Sequence, residues 1–595
     1  MILILGGTTE GRLAVRVADE AGSPYFYSTK GHEQQVTCRN GTHLTGGMDG
    51  AALTECCRTH GIRLLVDAAH PFATELHRHV AEAARQLHLP VVRIERQYPS
   101  RSSDIVWCDD YDDALHRLEQ DGISRLLALT GVQTIGRLRP YWQHHTCWFR
   151  ILPRPSSMAL AQEQGFDKCN LVFYQVNDEE RLVKQLSPDA LLTKESGESG
   201  GFAAKVTAAR AAGIPIYAVK RPPLPDGFHL VTGEHGLRKA IEQAVPGFFP
   251  LRSGFTTGAC ATAATKAALL ALLGQTVGEE VTITLPDGEH IALPLHEVTR
   301  ADDAATAAVR KDAGDDPDIT NGRLILSTVR FSSCPGIRFL QGEGVGRVTL
   351  PGLGLPVGEP AINPTPRRMM EQEVTALYQG GVDITLSIPG GRELALRTFN
   401  PKLGVTDGLS IIGTSGIVHP FSSEAFVETI RREIEVFRAV GGERLVINSG
   451  ARSERFLRDH YPDLPPQAFV HYGNYVGATL RAAADLEVGR LTLGIMIGKA
   501  VKLAEGQLDT HSREHLMNKV FLQQLAADAS CSEAAHTVIE ELTLARELWT
   551  RLSAADLDRF LTALLAACRR WCRTVYPKGE LTLLLMDEEG QIRCG

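Results

Sequence analysis

Apolar and polar positions change period repeatedly along this chain, and each change predicts an element. "ILIL" at residues 2–5 is apolar at every position and is closed by Gly6 and Gly7; beyond it Leu13, Val17 and Ala21 recur at i, i+4 and i+8. The first pattern is that of a short strand and the second that of a helix, so the chain opens as a strand-turn-helix unit. Further strands are predicted at "PYFYST", ending near residue 28, at "RLLVD" and "LPVVRI" on either side of a helix, at "RLLALTG", and at "DALLTK", which runs through a Ser/Gly/Lys-rich loop into another helix. The helix after "RLLVD" carries His77 and His79, both read as surface positions.

The pattern stops at "VPGFFP", residues 245–250, and restarts. "LRSGFTTGACATAATKAALLALLG" is a Ser/Thr/Gly-rich turn followed by a long alanine- and leucine-rich helix, which reads like the start of a protein in the middle of one. Past it come a glycine- and proline-rich run from Gln341 to Met369 and, from Asp383 to Ser422, two strands separated by a turn, with Gly413 to Gly416 ending the second. "ERLVINSGARSERFL" and "RLTLGIMIGKAVKLAEGQLDTHS" repeat strand, loop and helix, which predicts a parallel sheet. The expected organisation is α/β, with domains over residues 1–247 and 251–595.

Composition narrows the function classes. At 595 residues the chain exceeds the roughly 250–300 at which one core stops growing, so more than one domain is required. A net charge of −8 with no run of Lys or Arg longer than two offers no footprint for a phosphate backbone and sets nucleic acid aside. No stretch reaches the roughly 18–20 apolar residues of a spanning helix, and "MILILGG" has neither the basic lead nor the length of a secretory signal, so a cytoplasmic chain without a membrane partner is expected. Twelve cysteines without a CxxC pair signal neither a disulfide framework nor a zinc site; Cys568 and Cys572, one turn apart, read as partly buried helix thiols. No protein metal site is expected, and assembly into a homo-oligomer is left open.

Candidate chemistry sits at strand ends. Against the dinucleotide fingerprint GxGxxG, Gly6 and Gly11 fit the outer positions, Thr8 stands at the middle one, and Gly7 supplies freedom one residue early. Thr8, Thr9 and Glu10 open the helix, where backbone N–H groups favour a phosphate, although a tight turn without a ligand would read the same. Ser28, Thr29 and Lys30 stand where such folds place an acid on the ribose; two hydroxyls and an ammonium suit a 2′-phosphate better. His70, Pro71 and Phe72 follow the strand ending in Asp67 and could form a platform for a flat substrate. Lys194, Ser196, Gly200, Gly201 and Lys205 gather two ammonium groups and many backbone N–H groups in one loop, which invites carboxylates or phosphates. In the second segment Ser253, Thr256 and Thr257 precede a helix and suit either an anion or a plain N-cap. Asp312, Asp315, Asp316 and Asp318 crowd one turn and suit a cation, or are solvated loop acids; the spacing of a calcium loop fails.

"LILGGTTEG", "DAAHPFA" and "TKESGESGG", in this order, resemble the precorrin-6A reductase family, its cobalt-precorrin-6A members included, over residues 1 to about 245, with Ala69 where many relatives carry threonine. The resemblance implies two Rossmann-like parallel-sheet halves, a tetrapyrrole between them, and hydride from NAD(P)H. "RSGFTTGACATAATKAAL", "VRKDAGDDPDIT", "GEGVGRVT", "GEPAINPTPR", "TFNPKLGVTDGLSIIGTSGIV" and "GKAVKLAEGQLDTHS" resemble the cobalt-precorrin-5B C1-methyltransferase family across residues 251–595. That resemblance implies a separate α/β region of mixed α+β character, S-adenosylmethionine as methyl donor, and cobalt-precorrin-6A as product, which is the reductase's substrate. On this reading the chain is two enzymes fused at "VPGFFP". Thr256, Thr257 and Gly258 with Gly413, Thr414, Ser415 and Gly416 are then expected at the donor or the ring, and Asp312, Asp315, Asp316 and Asp509 with His511 in the same cleft. His511 would be a base, or "DTHS" a helix cap; His70 would orient the substrate or a proton. The Ser-Thr-Lys tip favours NADPH, whereas the cobalt-dependent relatives are associated with NADH. A nucleotide-binding sensor or scaffold, or a small-substrate dehydrogenase fused to an unrelated transferase, would fit the single motifs too.

Overall fold

The computed structural model describes residues 1–31, 36–176, 178–510 and 517–594, and the chain divides into two compact units, residues 1–251 with 289–291 and residues 252–288 with 292–595. Among the described residues no helix is long and apolar enough to cross a membrane.

The first unit holds two six-stranded sheets in which every pairing is parallel. Its strands are β1 (Ile2–Leu5), β2 (Tyr25–Thr29), β3 (Gly41–Thr45), β4 (Leu64–Asp67), β5 (Val91–Ile94), β6 (Val106–Cys108), β7 (Arg125–Ala128), β8 (Thr146–Ile151), β9 (Leu171–Phe173), β10 (Ala190–Lys194), β11 (Ile216–Val219) and β12 (Phe228–Val231). In space they run β3-β2-β1-β4-β5-β12 and β9-β8-β7-β10-β11-β6, each the strand order of a doubly wound dinucleotide-type sheet. The sixth strands are exchanged: β6, next after β5 in the chain, joins the second sheet, and β12, next after β11, returns to the first. The unbroken apolar run in β1 follows from cover on both faces. Ile2 and Ile4 join one core with Val15, Val66 and Ile241, while Leu3 and Leu5 join another with Leu53, Leu65 and Val80.

The second unit begins with the short strand β13 (Gly254–Phe255) and the helix Thr257–Leu272, followed by the hairpin β14 (Glu280–Thr284) and β15 (His290–Pro294). Next come β16 (Glu297–Arg300), β17 (Ala304–Arg310), β18 (Leu324–Ser332), β19 (Ile337–Gln341), β20 (Arg347–Val348) and β21 (Gly381–Ser387), of which five form a mixed sheet in the order β16-β17-β18-β21-β19. The helix packs on β17 and β18 and against the helix Pro364–Leu377, and its alanines are small enough to bury almost the whole cylinder. The stretch from Asp383 to Ser422 corrects the expectation of two strands. Only β21 is a full strand; a short helix (Gly391–Ala395) and irregular chain follow, with two-residue pairings at β22 (Val405–Thr406) and β23 (Ile417–Val418). Pro389, Pro401 and a dense set of glycines remove the donors and the regularity that a long ladder needs.

The last part of this unit is an α/β layer: β24 (Leu445–Asn448), β25 (Phe469–His471), β26 (Arg490–Met496), β27 (Glu580–Met586) and β28 (Ile592–Cys594), ordered β25-β24-β26-β27-β28 with only β28 antiparallel. Cys568 and Cys572 are fully buried in its core rather than partly buried.

Close backbone approach fixes the start of the second unit. β13 pairs antiparallel with β23, and a β-carbon on Gly254 would land on the Ala313 backbone, which cannot rotate away. Gly254→Ala is therefore expected to lower stability by about 1–3 kcal/mol, a typical overpacking cost, whereas Gly489→Ala, where no atom lies within 4 Å, leaves it unchanged. Urea unfolding midpoints of the two variants test this contrast.

Candidate active sites

In the first unit the strand order reverses between β1 and β4 in one sheet and between β7 and β10 in the other, and ligands of open α/β sheets bind at the carboxyl ends beside such reversals. The β1 exit is Gly6 to Gly11. Gly6 and Gly11 lie against the Tyr27 ring, which leaves no room for side chains, while Gly7 (φ +99°) has no atom within 4 Å of where a side chain would start. Thr8 caps the helix Thr9–Glu20 by accepting from Gly11 N (3.1 Å) and donates to the Ala68 carbonyl (2.6 Å), tying the exits of β1 and β4 together. Gly7 N donates to the Tyr27 hydroxyl (3.1 Å), so part of the expected phosphate cradle is engaged within the protein. At the β2 exit Ser28 and Thr29 are buried, Thr29 Oγ1 donating to Gly31 O (2.9 Å) beside His43 Nε2 (2.8 Å), and Lys30 is exposed.

The two sheets are joined at their exits by hydrogen bonds that centre on one ion pair. Arg96, just past β5, donates from Nη2 to Glu10 Oε2 (2.8 Å) and from Nη1 to Ser196 O (2.8 Å), and Ser199 Oγ donates to Glu10 Oε1 (2.6 Å). Burial alone pushes Glu10 up, but the Ser199 hydroxyl and the Arg96 charge outweigh it and hold the carboxyl below its ordinary range. Beside this bridge stand more cations than the nearby acids neutralise. Lys194 Nζ lies 5.4 Å from the centre of the Phe72 ring, and burial with the Arg96 charge brings it down to about 8. Lys205 Nζ donates to Gly200 O (2.9 Å), and burial, then Arg150 and Lys194, bring it down to about 7 against an opposing pull from Glu179. Arg150 itself donates to Asp178 (2.9 Å) and Glu179 (2.8 Å). Beside Arg96 a cavity of about 460 Å³ opens, lined also by Tyr98, Glu198, Phe202 and Arg221.

His70 stands at the same edge, where burial and the charges of Lys194 and Arg96 bring it down to about 3. Its Nδ1 accepts from Phe72 N (3.2 Å), which leaves the ring proton on Nε2. Below the loop, His77 is 2% exposed, a correction to its reading as a surface position. Its Nδ1 lies 2.7 Å from Asp67 Oδ2 and its Nε2 3.2 Å from His70 O. Asp67 is fully buried and also accepts from Arg93 Nη1 (2.9 Å), its register partner on β5, and from Ala69 N (3.0 Å). Burial raises this carboxyl, and His77 with Arg93 lower it further than burial raises it. A fixed ion cluster thus sets the platform on which His70, Pro71 and Phe72 ride.

In the second unit Thr256–Gly258 and Ile412–Gly416 do come together, but largely by satisfying one another. Thr256 N donates to Gly416 O (3.0 Å), Gly258 N to Ile412 O (2.9 Å), and Ile412 N to Thr257 Oγ1 (2.9 Å); Thr256 Oγ1 caps Ala259 (3.1 Å), and Gly413 has no space for a β-carbon over Thr256. Thr414 and Ser415 lie in the same turn, Ser415 Oγ accepting from Ile417 N (3.2 Å). The acidic turn is engaged too. Asp315 accepts from Arg252 N (2.7 Å), Asp312 lies 3.7 Å from Arg252 Nη1, Asp316 accepts from Phe421 N (3.2 Å), and Asp318 pairs with the buried Lys311 (2.6 Å).

Asp509 falls at the carboxyl edge of the last sheet. There the fully buried Asn448 ties the β24 exit to β25, accepting from Gly450 N (3.1 Å) and donating to Val470 O (3.2 Å); His471 Nε2 lies 2.8 Å from Ser449 O. Lys499, past β26, donates to Gly473 O and lies 5.5 Å from the Tyr472 ring centre; burial and then Lys502 lower it to about 8, with Asp509 opposing. The segment from His419 to Phe426 links this edge to the acidic turn, since Phe421 meets Asp316 and Phe426 packs on His471 and Tyr475. His511 lies outside the described residues.

Comparison with known proteins decides the family. Residues 1–243 match the family model for precorrin-6x reductase CbiJ/CobK, residues 246–420 that for CbiD, and residues 509–594 that for the CbiD C-terminal domain. A cobalt-precorrin-5B C(1)-methyltransferase of Prosthecochloris aestuarii is 46% identical over 354 residues, 58% of this chain and 96% of the relative. The chain belongs to the cobalt-precorrin-5B C(1)-methyltransferase family. It carries the precorrin-6x reductase region ahead of it. The methyltransferase of Geobacillus kaustophilus is 43% identical, covering 54% of this chain and 87% of its own length. Among solved structures, a CobK precorrin-6A reductase (22% identity, TM-score 0.35) covers 41% of this chain and 97% of its own. The cobalamin biosynthesis protein cbiD of Archaeoglobus fulgidus (27%, TM-score 0.24) covers 44% and 83%.

Sequence reasoning passed over Arg96, Arg150, Arg93 and His77 in the reductase region, and Asn448, His471 and Lys499 in the methyltransferase region. A signal existed for some of them: Arg93 and Arg150 interrupt otherwise apolar strands, "VVRI" and "CWFRI", and a charge inside a buried strand requires a partner. The buried lysines yield a pH prediction. Facing Arg96, Arg150, His70, Glu10 and Glu179, Lys194 and Lys205 carry full charge only below about 8 and about 7. Affinity for a polycarboxylate should fall as pH rises through 7–8, with proton uptake on binding near pH 8. Folding stability should rise with pH from those values toward 10.5, because the unfolded lysines bind more protons there. Lys205→Met is expected to weaken binding about tenfold, worth about 1.4 kcal/mol, without lowering the unfolding midpoint at neutral pH; calorimetry in buffers of different ionisation enthalpy reads both the affinity and the proton uptake.

Proposed function

We propose that the chain carries out two consecutive steps of corrin-ring construction in the cytoplasm. Its second unit methylates cobalt-precorrin-5B at C1 with S-adenosylmethionine, giving cobalt-precorrin-6A, and its first unit reduces that product to cobalt-precorrin-6B with NADH or NADPH. The observation that carries this reading is that a reductase match and the two CbiD matches occupy consecutive, non-overlapping stretches of one chain, with 46% identity to a methyltransferase over 96% of its length.

In the reductase the Gly6–Gly11 turn would hold the dinucleotide, with open space over Gly7 for the approach and Lys30 on the ribose side. NAD(P)H supplies a hydride to the macrocycle. Arg96, Arg150, Lys194 and Lys205 hold substrate carboxylates, which restores charge balance where the protein buries an excess of cations. Phe72 offers its face to the ring. His70, kept neutral by its surroundings, orients the substrate through Nε2–H rather than protonating it, and the proton that accompanies the hydride falls to Lys194 Nζ, which titrates near neutrality.

In the methyltransferase the chemistry is displacement: the donor's C–S bond breaks as a bond to C1 forms, so placing the two carbons about 3–3.5 Å apart in line supplies much of the acceleration. Thr256–Gly258 with Gly413–Gly416 make a rigid wall for that placement, and Asp312, Asp315 and Asp316 brace it through Arg252 and Phe421.

Incubating the full chain with cobalt-precorrin-5B, S-adenosylmethionine and reduced nicotinamide, each omitted in turn, tests the assignment. Methyl incorporation is expected without nicotinamide, and a reductive change in the absorption spectrum only with all three. Nicotinamide oxidation that ignores the tetrapyrrole, or no methyl incorporation, would overturn it.

A further inference from the structure

The order β25-β24-β26-β27 means that the chain leaves β24 to one side, makes β25, and recrosses to β26 on the other side. A reversal of this kind, between the exits of β24 and β26, is where an open α/β sheet characteristically forms the crevice that receives its ligand. Four features of that crevice suit a small zwitterionic nucleoside. The β24 exit is held by the buried Asn448 amide, so its shape does not depend on the ligand. The β26 exit presents Gly498, exposed and with no atom within 4 Å of where a side chain would start. Lys499 puts a half-buried ammonium at the same exit, anchored on Gly473 O, and Asp509 lies close enough to act on it electrostatically. The Thr256–Gly258 turn offers a poorer seat, because its N–H and hydroxyl groups are engaged with Ile412, Gly416 and Ala259.

We propose that the methyl donor, an adenosyl sulfonium amino acid, binds in the crevice between the β24 and β26 exits, with Lys499 on its carboxylate and Asp509 accepting from a ribose hydroxyl. The proposal rests on the methyltransferase reading and gives that reading a donor site on the last sheet. It also assigns a division of labour within the unit: the last sheet holds the donor, and the wall at Thr256 and Gly413 faces the acceptor ring.

Gly498 makes the test clean, because a side chain there meets nothing in the protein and would project into the ligand's space. Binding of S-adenosylhomocysteine to the full chain is measured by calorimetry for the unaltered protein, Gly498→Val and Lys499→Met, with unfolding midpoints alongside. Ultraviolet crosslinking of methyl-labelled S-adenosylmethionine, followed by peptide mapping, locates the contact. The expected result is an affinity loss of at least tenfold in both variants, an unchanged midpoint for Gly498→Val, and label in residues 445–454 or 496–510. Full affinity in both variants, or label in residues 253–260 or 412–418, overturns the donor site while leaving the methyltransferase reading standing. No binding by the unaltered chain overturns both. Should Gly498→Val fail to fold, Lys499→Met and the crosslink decide.

Discussion

Burying like charges together is expensive unless something of opposite sign arrives, and the first unit is organised around that constraint. Lys194 lies close enough to Arg96, and Lys205 to Arg150 and Lys194, for each lysine to be shifted by its cationic neighbours as well as by burial. The acids within reach, Glu10, Asp178 and Glu179, are held by Arg96 and Arg150. A protein that needed only stability would place apolar side chains at these positions. One that must hold a multiply negative macrocycle gains from leaving the charges under-neutralised, because ligand carboxylates then relieve repulsion as well as forming hydrogen bonds. His70 belongs to the same balance: burial and the charges of Lys194 and Arg96 disfavour its protonated form.

Holding the cations close together takes a frame. The exchange of β6 and β12 between the two sheets stitches the halves of this unit with backbone ladders, and the Asp67–Arg93–His77 cluster braces the loop that carries His70 and Phe72. Removing Asp67 would leave the buried Arg93 charge without the partner at its hydrogen-bonding distance, a loss that typically costs about 3–5 kcal/mol. Positions far from the chemistry in sequence therefore set its geometry.

Much of this could be read from the chain. Apolar runs at "ILIL" and "LLV" announced strands, and the loops at Gly6, His70 and Ser196 lie where the strand order reverses. What stayed hidden has a physical reason. His77 looked like a surface residue because its neighbours Glu75, Arg78 and His79 are polar, and only the fold shows that its side chain points down onto Asp67. Exchange of β6 and β12 leaves no mark on local periodicity, since each strand keeps the same apolar pattern in either sheet. The hydroxyl of Thr257 was visible as a residue type, but its engagement with Ile412 lies across 155 positions of sequence. The crevice on the last sheet carries no familiar glycine signature; its evidence is the strand order, which emerges only when β25 and β26 are seen on opposite sides of β24.

The same topological device recurs in all three parallel sheets and explains how one chain holds two chemistries. At each reversal a glycine near the strand exit faces open space: Gly7 after β1, Gly131 after β7 and Gly498 after β26. The device is indifferent to what binds; charge and hydrogen-bonding groups supplied by the neighbouring exits choose the ligand. Near the exits of the first unit stand Arg96, Lys194 and the Phe72 ring, and beside Gly498 stands Lys499, with Lys502 and Asp509 close enough to act on it. Covalent linkage adds concentration, since a short flexible tether raises the local level of a released product to about the millimolar range. The chain order, reductase before methyltransferase, runs against the order of the chemistry. That reversal carries no penalty, because an effective concentration depends on the length between two sites and not on which comes first.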